Sequence, residues 1–323
     1  MTAGQDHGGN IDAAIARFGA GDWMDLSTGI NRRAYPVPAL TAAAWRGLPT
    51  RSAQAGLVAA AAAAWGANPR LAGVALGGAQ AAIQLAPRLR PAGTARVLTP
   101  TYNEHAACLR ADGWDVQGCG ALDHLAGADL AVVVNPNNPD GRCWRADALL
   151  GLAERVGLLV VDESFADAQH ALSLLPRVCP ANLLILRSFG KFYGLAGLRL
   201  GFAFGAPPLV HALARMAGPW PVAGPAIEIG CAALADTAWA DSMRVQLNLD
   251  SLRADGLAQE AGWACVGGTP LFRLYDTPDA EAARDRLARS RIWSRTFPYS
   301  PRWLRLGLPG SEAEWRRLAA ALA

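Results

Sequence analysis

The sequence predicts an α/β fold: a large α/β/α domain around a mainly parallel sheet, followed by a smaller α+β domain at the C-terminus. Three observations predict it. From about residue 70 to about 205, short apolar runs alternate with amphipathic stretches, the pattern of strands buried on both faces and joined by helices. Past about 207 the alternation stops, and helical stretches dominate to about 262. The length, 323 residues, suits roughly two domains at about 150 residues each.

Residues 1–40 are punctuated by Gly and Pro and read as an N-terminal arm. The large domain is expected over 41–207. Its first segment, "AGLVAAAAAAWGA", reads as a helix with a small-residue packing face. "GVAL" (73–76) then precedes helical "AQAAIQLAPRL", "ARVLTP" (95–100) precedes "NEHAACLRADG", and "ADLAVVVNP" (128–136) precedes "RADALLGLAERVG". "LLVVDES" (158–164), "NLLILRS" (182–188) and "LRLGFAF" (198–204) complete the strands. The small domain is expected over 208–323, with its helical part broken by "GPWPVAGP" (218–225). Strand-like "LFRLYD" (271–276), a helix near 279–290 and "WLRLGL" (303–308) follow. The chain closes on "SEAEWRRLAAALA", where Ser311 and Glu314 match a capping box.

Composition narrows the function classes. A net charge of +3 with no basic run gives no reason to expect nucleic acid. The longest apolar run falls short of the roughly 20 residues a membrane span needs. No repeat recurs along the chain. "MTAGQDHGGNID" lacks the basic-then-apolar pattern of a secretory signal. The six cysteines (Cys108, Cys119, Cys143, Cys179, Cys231, Cys265) form no C-x-x-C and no zinc-spaced cluster. They read as reduced thiols, so a cytoplasmic protein without a metal site is expected.

The chemistry is expected beyond the carboxyl ends of the strands, where open α/β sheets bind ligands. Of the 30 basic residues only Lys191, in "RSFGKFYGLAG", is a lysine. A solvated charge can be either residue, but an amine that must lose its proton and attack a carbonyl can only be lysine. Lys191 follows a strand in a short Gly-containing turn, with Ser188 before it and Arg199 after it, a hydroxyl and a guanidinium suited to a phosphate. Asp162 ends the apolar strand "LLVVD", so its carboxylate starts in a poor solvent and needs a cationic partner. "LGGAQAAI" places a Gly-Gly turn, Gly78 and Ala79 included, where backbone N–H groups can meet a phosphate. It is not G-x-G-x-x-G, so a dinucleotide fingerprint is absent and a nicotinamide dehydrogenase is disfavoured. "NPNNPDGR" presents the Asn138 amide from a proline-set loop. Together these parts describe an aromatic aldehyde with a ring nitrogen and a phosphate: pyridoxal 5'-phosphate, with Lys191 for the Schiff base and Asp162 for the pyridinium nitrogen.

"NPNNPDG", "DESF" and "SFGKFYGLAGLRLGF" stand in an order and at spacings that resemble the fold-type I pyridoxal-phosphate enzymes of the aspartate aminotransferase superfamily. The resemblance covers nearly the whole chain. It implies that Asn138 bonds the ring hydroxyl, that Tyr102 stacks on the ring, and that Gly78, Ala79, Ser188 and Arg199 hold the cofactor phosphate. Two branches of the superfamily compete, histidinol-phosphate aminotransferases and the cobalamin-pathway L-threonine-O-3-phosphate decarboxylases. "HGGNI" from His7 to Ile11, "GPWPV" and "DTAWADS" resemble the decarboxylases. So does Phe165, where aminotransferases commonly carry tyrosine. The implied reaction is decarboxylation of L-threonine O-3-phosphate to (R)-1-amino-2-propanol O-phosphate in cobalamin biosynthesis. His7, Asn31, Arg295 and Arg305 are the implied substrate-binding residues, and a homodimer the implied assembly. The alternatives are an aminotransferase acting on histidinol phosphate or a similar substrate, or a non-catalytic accessory protein of cobalamin biosynthesis. The intact set Lys191, Asp162, Asn138 and Arg199 speaks against the last. Three departures from the pattern stand out. Leu48 occupies the place of a tyrosine that would reach the partner subunit's cofactor phosphate. The loop between Arg295 and Arg305 is short. "GGAQ" lacks the acidic residue common in that turn.

Overall fold

The computed structural model describes residues 7–323. In chain order the first elements are α1 (Ile11–Phe18), β1 (Met24–Asp25), α2 (Ala42–Arg46), α3 (Arg51–Ala64), β2 (Ala72–Leu76), α4 (Ala79–Leu85), β3 (Thr94–Leu98), α5 (Asn103–Ala111), β4 (Asp115–Cys119), β5 (Leu130–Val134) and α6 (Ala146–Ala153). There follow β6 (Leu159–Asp162), β7 (Leu183–Ser188), the single turn α7 (Phe189–Phe192), β8 (Gly201–Gly205), α8 (Pro207–Ala217), α9 (Gly224–Ala235) and α10 (Thr237–Glu260). The chain ends with β9 (Ala264–Thr269), β10 (Phe272–Asp276), α11 (Ala280–Arg289), β11 (Ile292–Trp293), β12 (Arg295–Phe297), β13 (Ser300–Gly307) and α12 (Glu312–Leu322).

Two compact units share these elements, and neither is continuous in sequence. One gathers Tyr35–Asn138 and Cys143–Asp241; the other gathers the chain up to Ala34, Pro139–Arg142 and Ser242–Ala323. This division runs differently from a sequential one at 40 and 207. Part of the reason is that β1, near the N-terminus, pairs in parallel with β11, near the C-terminus. In addition, α8 stays with the sheet it covers, packing on β2 and β8, and α9 stays with α3, on which it packs.

The larger unit is built on a seven-stranded sheet in the order β2-β8-β7-β6-β5-β3-β4. β4, β3, β5, β6 and β7 run parallel to one another, and β8 runs against both β7 and β2. Every residue of β5, β6 and β8 is buried, as strands covered on both faces require. β4 had no apolar signature and is missing from the expected strands. It lies at the sheet edge with an exposed, polar pattern, paired only to β3.

The other unit carries the four-stranded sheet β12-β13-β10-β9, antiparallel throughout. α11 packs on β13 and α12 on α11. The Ser311 hydroxyl accepts the Glu314 N–H at the start of α12, as a capping box expects. The Glu314 carboxylate turns elsewhere, accepting from the Gly310 N–H at 2.6 Å and pairing with Arg32.

Candidate active site

Crossing from one β-strand to the next brings the predicted cofactor residues to one cavity. It measures about 180 Å³ and lies wholly within the larger unit. Its wall includes Lys191, Asp162, Asn138, Tyr102, Ser188 and Arg199, together with Gly78 and Ala79. All eight residues proposed from sequence for the cofactor therefore meet in one place.

Asp162 ends β6 and is 2% exposed. Its Oδ1 accepts from the Ser164 N–H at 2.9 Å and the Ser164 hydroxyl at 2.5 Å. Its Oδ2 lies 2.9 Å from His105 Nε2, and that ring is 3% exposed. Burial by itself would push this carboxyl up. The His105 hydrogen bond and charge, with the two Ser164 donors, outweigh burial and hold it below the usual carboxylate range. His105 is a functional candidate that sequence reasoning missed. It sits three residues past Tyr102 in the first turn of α5, and nothing in "TYNEH" says which strand end that face will meet.

Lys191 stands in α7, the turn that follows β7, with Nζ 5.7 Å from the centre of the Phe165 ring. Phe165 is itself buried against the cavity. The turn is tight because Gly190 lies against Ala196: a Cβ at 190 would come within 2.6 Å of the Ala196 Cα. Behind it, Tyr193 is stacked between Phe189 at 4.3 Å and Trp239 at 5.5 Å. Asn138 reaches the cavity from a loop pinned by its neighbours. The Asn137 amide donates to the Pro100 carbonyl at 2.9 Å, and the Asn135 side chain bonds both the N–H and the carbonyl of Trp144.

At the other end of the cavity, Arg199 takes a left-handed backbone conformation with φ 53°, uncommon for a residue with a side chain. Its guanidinium lies over Gly78, where a Cβ would meet Arg199 Nη2 at 2.9 Å. Gly201 on β8 closes from beneath, since a Cβ there would lie 2.2 Å from the Ala79 nitrogen. A bare backbone turn, a cation and the Ser188 hydroxyl thus converge.

A buried charge cluster that sequence reasoning also missed fastens the strand ends together. Arg187 is fully buried on β7, with Nη1 3.0 Å from Glu163 Oε2 and Nη2 2.8 Å from Asp167 Oδ1. Asp167 also accepts from Trp65 Nε1 at 2.7 Å, and Glu163 from the Leu174 N–H at 2.7 Å. Burial works against the Arg187 charge, but Asp167 and Glu163 outweigh it and hold the guanidinium's pKa above its usual value. Arg187 and Glu163 adjoin Ser188 and Asp162 in sequence, so the cluster ties together the residues that carry the site.

The four residues proposed for substrate lie in the other unit. Asn31 is buried and accepts the Arg33 N–H at 2.9 Å. Arg305 on β13 is 4% exposed, with Nη2 donating to the Ser27 carbonyl at 2.5 Å. Arg295 on β12 is its cross-strand partner, so the two guanidinium side chains leave the same face of the sheet. Like charges placed opposite one another are unfavourable, and two forked cations in one pair suit an anionic ligand. His7 is exposed, but the glycines after it are anchored on Ser27. Gly9 N–H donates to Ser27 Oγ at 2.7 Å, and a Cβ at Gly8 would strike the Ser27 carbonyl oxygen at 2.4 Å. Ser27 thus links the "HGGN" segment to Arg305.

The donor set suits pyridoxal phosphate. A buried carboxylate held charged, a lysine on the neighbouring strand end, and a cation over a glycine turn match its ring nitrogen, aldehyde and phosphate.

Residues 22–322 match the family described as aminotransferase class I and II. The chain is 43% identical over 326 residues to a protein of Pseudomonas aeruginosa named threonine-phosphate decarboxylase, covering 98% of this chain and 97% of that one. It is 42% identical over 334 residues to a Sinorhizobium sp protein of the same name, covering 100% and 99%. Among solved structures, histidinol-phosphate aminotransferase from Sinorhizobium meliloti, in complex with pyridoxal-5'-phosphate, matches with a TM-score of 0.83 and 21% identity over 96% of this chain and 93% of that one. At that identity the likeness speaks for the fold alone. On the extent of the family match, and in agreement with the fold expected from its motifs, the chain belongs to the aminotransferase class I and II family.

Proposed function

We propose that the protein is a pyridoxal-phosphate-dependent decarboxylase of L-threonine O-3-phosphate, a carbon–carbon lyase of cobalamin biosynthesis yielding (R)-1-amino-2-propanol O-phosphate. The observation that carries the enzyme reading is the single lysine, Lys191, sharing one cavity with the buried, charged Asp162. The choice of reaction is supported by the names of the two full-length relatives and by Phe165, a ring without a hydroxyl beside Lys191.

When bound, the cofactor supplies an aldehyde that takes up an amine and a ring that accepts the electron pair left as carbon dioxide departs. The protein's residues do the rest. Lys191 Nζ would hold the cofactor aldehyde and, as a free amine, is the group placed to return a proton to the substrate's Cα. Asp162 stays ionised, braced by His105 and Ser164, and so keeps a proton on the ring nitrogen. Phe165 covers Lys191 with apolar surface and keeps water from it. Arg199, Ser188 and the Gly78–Ala79 turn would hold the cofactor phosphate, Asn138 the ring hydroxyl, and Tyr102 the ring face. Arg295 and Arg305, with Asn31 and His7, grip the substrate's carboxylate and phosphate.

The test is to incubate the purified protein with L-threonine O-3-phosphate, with and without 2-oxoglutarate. Carbon dioxide released without an acceptor is expected. Glutamate formation that requires the acceptor would instead establish an aminotransferase. We further propose a homodimer acting in the cytoplasm. Trp45, Leu48 and Trp220, at 69%, 68% and 54% exposure, are large apolar side chains of the larger unit suited to burial against a second copy. Sedimentation should give twice the chain mass, and a monomer would refute the assembly. Among the described residues no helix is long and apolar enough to cross a membrane.

A further inference from the structure

The acidic residue absent from the Gly-Gly turn has a counterpart on a different element, Glu104 of α5. Gln80, the second residue of α4, lines the cavity beside Tyr102. Its Oε1 lies 3.2 Å from the Tyr102 hydroxyl, and its Nε2 lies 2.7 Å from Glu104 Oε2 in the first turn of α5. Chemistry orders this chain of contacts. A carboxylate only accepts, so the Gln80 amide nitrogen must face Glu104. The amide oxygen is then turned to Tyr102, whose hydroxyl donates to it. The Tyr102 ring also meets His105 edge-on at 6.2 Å. Its tip and its edge are therefore both held, while the ring borders the cavity.

We propose that Gln80 and Glu104 are positioning residues that set the plane of the Tyr102 ring for cofactor binding. The carboxylate missing from "GGAQ" is supplied by Glu104 and transmitted through Gln80. This rests on the reading above that the cavity takes pyridoxal phosphate beneath Tyr102. One helical turn of α5 thereby carries two supporting groups: Glu104, which reaches Tyr102 through Gln80, and His105, which contacts Asp162.

The test has one arm without cofactor and one with it. In the cofactor-free protein, tyrosine carrying a carbon-13 label at Cζ gives five signals, one per tyrosine, and Tyr102 is assigned with Tyr102→Phe. Gln80→Ala and Glu104→Ala should each move the Tyr102 signal. Glu104→Gln should largely preserve it, because a second amide can still accept from Gln80. An unmoved signal in Gln80→Ala would overturn the proposal whatever the protein binds.

In the second arm, pyridoxal phosphate is titrated into the cofactor-free protein. Gln80→Ala should weaken binding about tenfold in the Tyr102 background and leave it unchanged in Tyr102→Phe. An equal loss in both backgrounds would mean that Gln80 acts by some route other than Tyr102, and the proposal fails. Gln80→Glu should bind poorly at pH 8 and recover toward pH 5, since two adjacent carboxylates cannot share the site until one is protonated. The exchanged pair Gln80→Glu with Glu104→Gln should bind like the wild type at both pH values, and failure of that rescue would also refute the arrangement. If the Tyr102 signal responds as expected but no variant, nor the wild type, binds pyridoxal phosphate, the cofactor reading falls and with it the proposed purpose of the contacts.

Discussion

Replacing His105 by Phe keeps most of the ring volume and removes one hydrogen bond from Asp162. Of the contacts described for this carboxylate, the two from Ser164 are local to its own turn and remain. The 2.9 Å contact from His105 Nε2, across 57 positions of sequence, is lost. A hydrogen bond to a buried charged group is worth about 1.5–3 kcal/mol, which predicts pyridoxal phosphate affinity lower by about ten- to a hundredfold. The pH dependence carries a sign. In the wild type the Asp162 carboxyl lies below its usual range, so its contribution is complete above that range and is lost only as pH falls through the lowered value. Without His105, burial pushes the carboxyl back up, and the loss sets in at higher pH. The assay is a titration of cofactor-free protein with pyridoxal phosphate at a series of pH values from 4.5 to 8. His105→Phe should show weaker binding throughout and an acid limb displaced upward, and His105→Gln, which retains an amide donor, a smaller change. Unaltered affinity with an unmoved acid limb would refute the claim that His105 sustains the Asp162 charge.

Lys191→Ala should abolish the near-visible absorbance that borohydride bleaches in the wild type; if that absorbance persists, Lys191 is not the attachment point. Gly201→Ala should lower cofactor affinity at least tenfold, because the new Cβ meets backbone at the Gly78–Ala79 turn rather than a side chain that can swing away; titration of the cofactor-free variant checks it. Arg187→Met should destabilise the cofactor-free protein by about 3–5 kcal/mol in urea unfolding, since Glu163 and Asp167 are left buried without their cation. Arg305→Ala should raise KM for L-threonine O-3-phosphate by about a hundredfold, and Arg305→Lys should recover only part of it because an ammonium cannot form the two-pronged bond; steady-state carbon dioxide release measures both.

Much of the larger unit was legible because burial leaves a mark on composition. β5, β6, β7 and β8 are covered on both faces, so they read as unbroken apolar runs, and the chemistry at their ends stands out against them. β4 was not legible, since an edge strand that stays exposed is under no pressure to be apolar. β1 and β11, two residues each, are too short to carry a period.

By itself the sequence determined the strand-helix alternation, and with it the fold class, and which side chains could do the chemistry. A lone lysine among arginines and a carboxylate closing an apolar strand carry their chemical demands with them, wherever they fold. Only the tertiary structure decided how those demands are met. That His105 is the partner of Asp162, that Glu104 stands behind Gln80 and Tyr102, that Arg187 locks Glu163 and Asp167, and that Arg295 lies opposite Arg305 all depend on which element packs or pairs with which. A helical period tells which face of α5 turns inward, but not which strand end or neighbouring helix that face will meet. Those contacts join residues distant in sequence, and they exist only once the layers have closed.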